Sequence, residues 1–120
     1  MIYLASPYTH PESNERWHRA RCACIAAGQL MKQGHHIFSP IAHSHAIMSM
    51  VDRLPHDWEF WRAWDLHFID HATHLWVLLL PSWRESVGVQ AEIKHARSRR
   101  LPLGGVTWPE CKVVELPEAK

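Results

Sequence analysis

A chain of 120 residues is one domain's worth, long enough to bury roughly two-thirds of its surface around a single core. Its apolar fraction of 47% and charged fraction of 21% are those of a globular protein in water. Thirteen Lys and Arg against twelve Asp and Glu leave a net charge of +1, so no global field recruits a nucleic-acid polymer or a membrane.

No apolar run approaches the roughly 20 residues that span a bilayer. Met1 leads into strand-like residues without a signal-peptide pattern. The three cysteines are an odd number, and Cys22 and Cys24 fall inside a helical pattern, so the expectation is a reducing cytoplasm rather than a disulfide framework.

Ile2 to Ala5 reads as a first strand, ended by Ser6-Pro7. The loop Ser6-Pro7-Tyr8-Thr9-His10-Pro11 holds two prolines that forbid helix until its end. Glu12 to Gln33 reads as a long helix with Trp17, Ala20, Cys24, Ala27 and Met31 as its apolar stripe, stopped by Gly34. His36 to Ser39 reads as a second strand, stopped by Pro40. Ile41 to Met50 reads as loop plus a short helix, and Arg53 to His56 as a break.

Asp57 then caps a helix to about Ala72, with Trp61, Trp64, Phe68 and Ala72 as its stripe. The run Leu75 to Leu80 is short, continuous and apolar, the pattern of a buried parallel strand. Ser86 is an N-cap for a helix to Arg100 that buries Val89, Ile93 and Ala96. Leu101 to Val106 is a weaker fourth strand, broken by Pro102 and Gly104-Gly105, and Val113 to Leu116 is a short last strand or tail.

Alternating strands and helices imply a doubly wound α/β domain, a flavodoxin-like and Rossmann-like three-layer sandwich with a mostly parallel sheet in the order 2-1-3-4-5. Ligands of such sheets bind outside the carboxyl ends of the strands. That order places Tyr3 and the loop Ser6, Pro7, Tyr8, Thr9 on one side of the crevice and Ser86, Gly88 and Glu92 on the other. The segment after Ser39, with His43 and His45, closes it.

Asp65 and Glu92 are acids on helices whose apolar faces pack the sheet. Two carboxylates across a crevice are what glycosidic cleavage needs, one as nucleophile and one to handle the leaving group's proton; the plainer account is two solvated helix acids. The first turn after Ser86 offers free N–H groups to an anion, and Gly88 lets a ligand approach the backbone. The pair His67 and His71, with Asp70 between them, has the i, i+4 spacing of helical metal sites, which makes a metal-dependent hydrolase one alternative. Trp58 precedes the main stripe and is placed either to stack on a planar base or to pack in the core.

The residues Ile2-Tyr3-Leu4-Ala5-Ser6, Trp64-Asp65-Leu66-His67-Phe68-Ile69 and Ser86-x-Gly88-Val89-x-x-Glu92 together resemble the nucleoside 2-deoxyribosyltransferase-like superfamily. They look closest to its 2′-deoxynucleoside 5′-phosphate N-hydrolase branch and to related uncharacterised domains of bacteria and phages. The resemblance covers Ile2 to Leu101. It implies cleavage of the N-glycosidic bond of a 2′-deoxynucleoside or its 5′-monophosphate, by hydrolysis or base transfer, without metal or organic cofactor.

By the same resemblance Glu92 is the nucleophile, kept ionised by the helix N-terminus. Asp65 assists the leaving base, Tyr3 orients Glu92, and Ser86 contacts the 5′ end. Two positions depart from the pattern: the loop after the first strand has neither Gly nor Arg, leaving Arg16 or Arg84 to supply charge, and Thr73 stands where relatives place an acid. A non-catalytic nucleotide-binding module is the other alternative. A homo-oligomer is expected, built on the apolar segment Ile41 to Trp61 with Ile47, Met48, Met50, Val51 and Leu54.

Overall fold

The computed structural model describes residues 1–117. Its elements are β1 (Ile2–Ala5), α1 (Ser13–Lys32), β2 (Ile37–Phe38), α2 (Pro40–Met50), α3 (Trp58–Asp70), β3 (His74–Leu78), α4 (Val87–Ser98), β4 (Leu103–Val106) and β5 (Val113–Val114). The sheet order is β2-β1-β3-β4-β5, as the alternation of elements predicts, with all pairings parallel except β4 with β5.

Side chains of a strand alternate between faces, and β1 and β3 use this to build two cores. Ile2, Leu4, Trp76 and Leu78 face the layer of α1 with Ala26, Ala27 and Leu30. Tyr3, Ala5, Leu75 and Val77 face the layer of α3 and α4 with Ile69, Val89, Ile93 and Ala96. The result is a three-layer α/β sandwich. No helix among the described residues is long and apolar enough to cross a membrane.

Three sequence expectations are corrected. The buried face of α1 is Ala20, Cys22, Ala23, Ala26, Ala27 and Leu30, while Trp17 and Met31 are exposed. Small side chains bring the helix axis close to the sheet, so the alanine face wins over the row of larger residues. In α3 the buried row is Trp61, Asp65 and Ile69, and Trp64 lies outward. Pro40 does not merely end β2. It opens α2, with the Ser39 hydroxyl accepting from the Ala42 N–H at 3.1 Å, because a proline's missing N–H costs nothing at a first helical position.

β3 ends at Leu78, two residues short of the apolar run. The Leu80 N–H turns back onto the Leu78 carbonyl at 2.8 Å, which takes the chain off the sheet and toward the crevice.

The glycines of β4 mark a close approach. A Cβ on Gly104 would stand 2.9 Å from Cδ1 and 3.1 Å from Nε1 of the buried Trp76 indole. Gly104→Ala is expected to cost about 1–3 kcal/mol, a melting temperature lower by several degrees. Gly28→Ala, inside α1 with nothing within 4 Å of the new methyl, is expected to gain about 0.5–1 kcal/mol. Thermal melts of the two variants check this, and a Gly104→Ala melt at the wild-type temperature would remove Trp76 as the constraint.

Candidate active site

Glu92 and Asp65 occupy positions on α4 and α3 that their helical periods reserve for apolar residues. Asp65 is one turn from Trp61 and one from Ile69, both buried. Glu92 lies beside Ile93 and one turn from Ala96. Both carboxyls are therefore carried inward, Glu92 to 4% exposure and Asp65 to 9%. Tyr3 reaches them from β1. It is fully buried, and its hydroxyl donates to Glu92 Oε2 at 2.5 Å.

The electrostatics follow from burial. Desolvation pushes the Asp65 carboxyl up to about 7, with the interaction to Glu92 pulling slightly the other way. Desolvation raises Glu92 well above the carboxylate range, the negative charge of Asp65 raises it further, and the Tyr3 hydrogen bond opposes both. Burial first, then the two nearby carboxylates, raises Tyr3 as well, so its hydroxyl keeps its proton and stays a donor.

The helix N-terminus, expected to help keep Glu92 ionised, is opposed by burial, which raises this carboxyl. Glu92 lies in the second turn of α4, where the dipole has faded, and desolvation is the larger effect. Two adjacent carboxyls that resist a second charge share one proton, and their titration belongs to the pair.

Above the carboxyls, outside the carboxyl ends of β1 and β3, is a cleft of about 340 Å³. Ser6, Tyr8 and Thr9 line one wall, Ser86, Val87 and Gly88 another, and Trp58 and Trp61 enter from α3. Ser86 caps α4, its Oγ accepting from the Val89 N–H at 3.2 Å. The N–H groups of Val87 and Gly88 are left as open donors of the first turn. The Ser6 hydroxyl is buried and has no hydrogen-bond partner among the described residues, a donor waiting for an acceptor from the cleft. Tyr3, Asp65 and Glu92 are not part of the lining; they lie one layer deeper.

The remaining sequence candidates are placed as follows. Pro7 is buried within the loop. Neither His43 nor His45 lines the cleft, although Ser44 between them does. His43 lies against Phe38 and Phe68. His45 stands behind Tyr8, its Nδ1 2.8 Å from the Tyr8 hydroxyl, in a neighbouring pocket of about 270 Å³ that also holds Arg16 and Trp17.

The cation at the cleft is Arg19, which sequence reasoning missed. It pairs with Glu15 at 3.2 Å and donates to the Thr9 carbonyl at 2.9 Å. Arg16 donates instead to the His10 carbonyl at 2.5 Å, and Arg84 lies over the Trp83 ring at 4.6 Å. The i, i+3 spacing of Arg16 and Arg19 on the first turns of α1, directly after the loop, was the available signal.

Asp70 is engaged by His95 at 2.7 Å and Arg99 at 3.2 Å, so it fastens α3 to α4 rather than joining His67 and His71. Among the described residues no group of three or more His, Cys, Asp or Glu could hold a metal ion.

The raised Asp65 carboxyl has a consequence for stability. The folded state holds a proton that the unfolded chain, near 3.8, releases. Stability therefore falls as pH rises from about 4 to about 7, and the cost is fully present above that window. Asp65→Asn removes it. The variant is expected to be more stable than wild type by about 2–4 kcal/mol at pH 8 and by much less at pH 4.5. Equal differences at the two pH values, measured by chemical denaturation, would contradict the assignment.

Residues 1–105, which include Tyr3, Asp65 and the whole of α4, match a family model described as a domain of unknown function, DUF1937. No curated protein matches the chain. A match over most of the length, carrying β1 to β3, all four helices and the buried carboxyl pair, places the chain in the DUF1937 family.

Proposed function

We propose that the protein is an N-glycosidase of the nucleoside 2-deoxyribosyltransferase-like kind, cleaving the bond between base and sugar of a 2′-deoxynucleoside or its 5′-monophosphate. The observation that carries this is the Tyr3–Glu92–Asp65 cluster, buried beneath a cleft lined by hydroxyls and indoles. Aromatic faces suit a base, and hydroxyls with open helix N–H groups suit the 5′ end of a sugar.

In this reading the single proton of the pair rests on Asp65 when Glu92 reacts. The Glu92 carboxylate attacks C1′ as the C1′–N bond breaks, and Asp65 gives its proton to the departing base nitrogen. A glycosyl ester on Glu92 remains. Water then attacks C1′, losing its proton to Asp65 and releasing Glu92; in base transfer an incoming base takes the place of water. Tyr3 holds Glu92 in position throughout. A 2-deoxy sugar lacks the electron-withdrawing 2′-hydroxyl, so the oxocarbenium-like transition state is easier to reach.

A second reading, a nucleotide-binding module without turnover, is favoured by one observation: the carboxyls do not line the cleft. A base-release panel separates the two. Deoxyribo- and ribonucleosides and their 5′-monophosphates are incubated with wild type and with Glu92→Gln. Wild type is expected to release base from deoxy substrates and at least about 100-fold more slowly from their ribo counterparts; Glu92→Gln is expected to lose at least about 1000-fold with its circular dichroism unchanged. Near wild-type release by Glu92→Gln removes the mechanism. Binding of nucleotides without release by wild type moves the assignment to the binding module.

Three unpaired cysteines, Cys22, Cys24 and Cys111, suit a reducing compartment such as the cytoplasm. We also propose a homo-oligomer. Within the segment Ile41 to Trp61, Ile47, Val51 and Phe60 are exposed and Met50 is 86% exposed, more apolar surface than one small domain leaves in water without use. Met48 of the same segment instead faces the cleft. Light scattering at micromolar concentration is expected to give at least a dimer mass, and a clean monomer would refute assembly.

A further inference from the structure

The pocket of about 270 Å³ behind Tyr8 is built by α1, α2 and the loops beside them, and neither Asp65 nor Glu92 lines it. Tyr8, Met48 and His56 are shared between this pocket and the cleft. Arg16, Trp17 and His45 belong to the pocket alone, with the Trp17 ring perpendicular to the His45 ring at 4.3 Å between centres. Its basic side chains are Arg16, His45 and His56, and no Asp or Glu lines it.

Arg16 is half-buried, and among the described residues it forms no ion pair. Its guanidinium donates to the His10 carbonyl at 2.5 Å, which supplies a dipole but no opposite charge. Arg19, one turn later on the same helix and bordering the cleft, has Glu15 at 3.2 Å. A guanidinium stays charged when partly stripped of water, so the charge in this pocket is left uncompensated. Its effect reaches both neighbours. Burial lowers the His45 imidazole and the Arg16 charge lowers it further, while burial raises the Tyr8 phenol and Arg16 opposes that rise. His45 Nδ1 is 2.8 Å from the Tyr8 hydroxyl, and His45 Nε2 is buried with no hydrogen-bond partner among the described residues.

We propose that this pocket is a second binding site, for a small organic anion whose carboxylate or phosphate pairs with Arg16. The anion supplies the opposite charge that the fold does not, and the Tyr8 and Trp17 rings offer its body an apolar surface. The site is distinct from the first turn of α4, and it stands whether or not the carboxyl pair cleaves a glycosidic bond. Arg16, Tyr8 and His56 are the charged and titratable groups that line the pocket with His45. An anion among them offsets the effect of Arg16 on His45 and favours the imidazolium. Binding therefore takes up a proton. Affinity falls as pH rises from the lowered His45 value of the empty pocket, below the ordinary 6.5, through the higher value of the filled one.

Calorimetric titration with benzoate and, separately, with inorganic phosphate tells a carboxylate site from a phosphate site. Wild type is expected to bind at least one of them saturably, with a Kd of about 1 mM or tighter. Arg16→Gln is expected to weaken that binding at least about tenfold at the wild-type melting temperature, and Arg19→Gln is expected to leave it within about threefold. Benzoate keeps the same charge from about pH 5.5 to about pH 8, so its pH dependence reports the protein: affinity is expected to fall across that range in wild type and to change far less in His45→Gln. Long-range proton–nitrogen NMR spectra, with the His45 signals assigned from the same variant, are expected to shift toward the imidazolium when the probe is added at the acid end of the range.

Absence of saturable binding of either probe to wild type overturns the site. Binding that is lost in Arg19→Gln and kept in Arg16→Gln puts the anion in the cleft and overturns it too. The His45 signals decide the matter without any change at Arg16: if they stay in place at a saturating probe concentration, the anion is not in this pocket. None of these readouts depends on base release by wild type, whose absence bears on the proposed reaction alone.

Discussion

The hydrogen bond from Tyr3 to Glu92 is the constraint on which the rest of the site depends. It crosses from β1 to α4 inside an otherwise apolar layer, and it has a second acid, Asp65, beside it. Two carboxyls in such a layer are a standing cost, because each charge is stripped of water and each opposes the other. Replacing them with apolar residues of like volume would make a better core. Their position is therefore hard to account for by stability, and the raised carboxyls suit proton transfer near neutral pH.

Around that pair the molecule separates rigid from adaptable parts. The far ends of α3 and α4 are fastened by Asp70 with His95 and Arg99. The loop after β1 is fastened by Arg16 and Arg19, which reach back to the carbonyls of His10 and Thr9. Trp61 is fixed by Pro55. Among the described residues the Ser6 hydroxyl and the open first-turn N–H groups of α4 border the cleft without a partner, while His45 Nε2 and Gln90 Nε2 are buried without one outside its lining. Polar groups left without partners beside a cleft are what a ligand with several acceptors would satisfy.

Membership of a family described only by its unknown function leaves chemistry to be argued from the site. The glycosidase and binding-module readings share the cleft and differ in whether the deeper carboxyls meet the ligand. The depth of the carboxyls keeps both from water beneath the cleft.

Much of this was legible in the chain. The alternation of apolar runs with helical periods determined the α/β class, and the strand order followed from general rules of chain connection. Ser86 and Asp57 announced their helices, because a side-chain cap is a local event between residues three apart. The Ser86, Gly88, Glu92 spacing and the sequence around Asp65 marked the residues that the fold then brought together with Tyr3.

What only the tertiary structure decided were matters of rotation and depth. Trp17, Met31 and Trp64 look like core by size, yet the sheet selected the smaller face of α1 and the row of α3 that contains Asp65, because interaxial distance is set by the partner surface and not by the helix. For the same reason Arg19 rather than Arg16 borders the cleft, and Ser44 rather than its histidine neighbours. The upward shift of the Glu92 carboxyl comes from burial, which belongs to the assembled layers; its place in the helix alone pointed the other way.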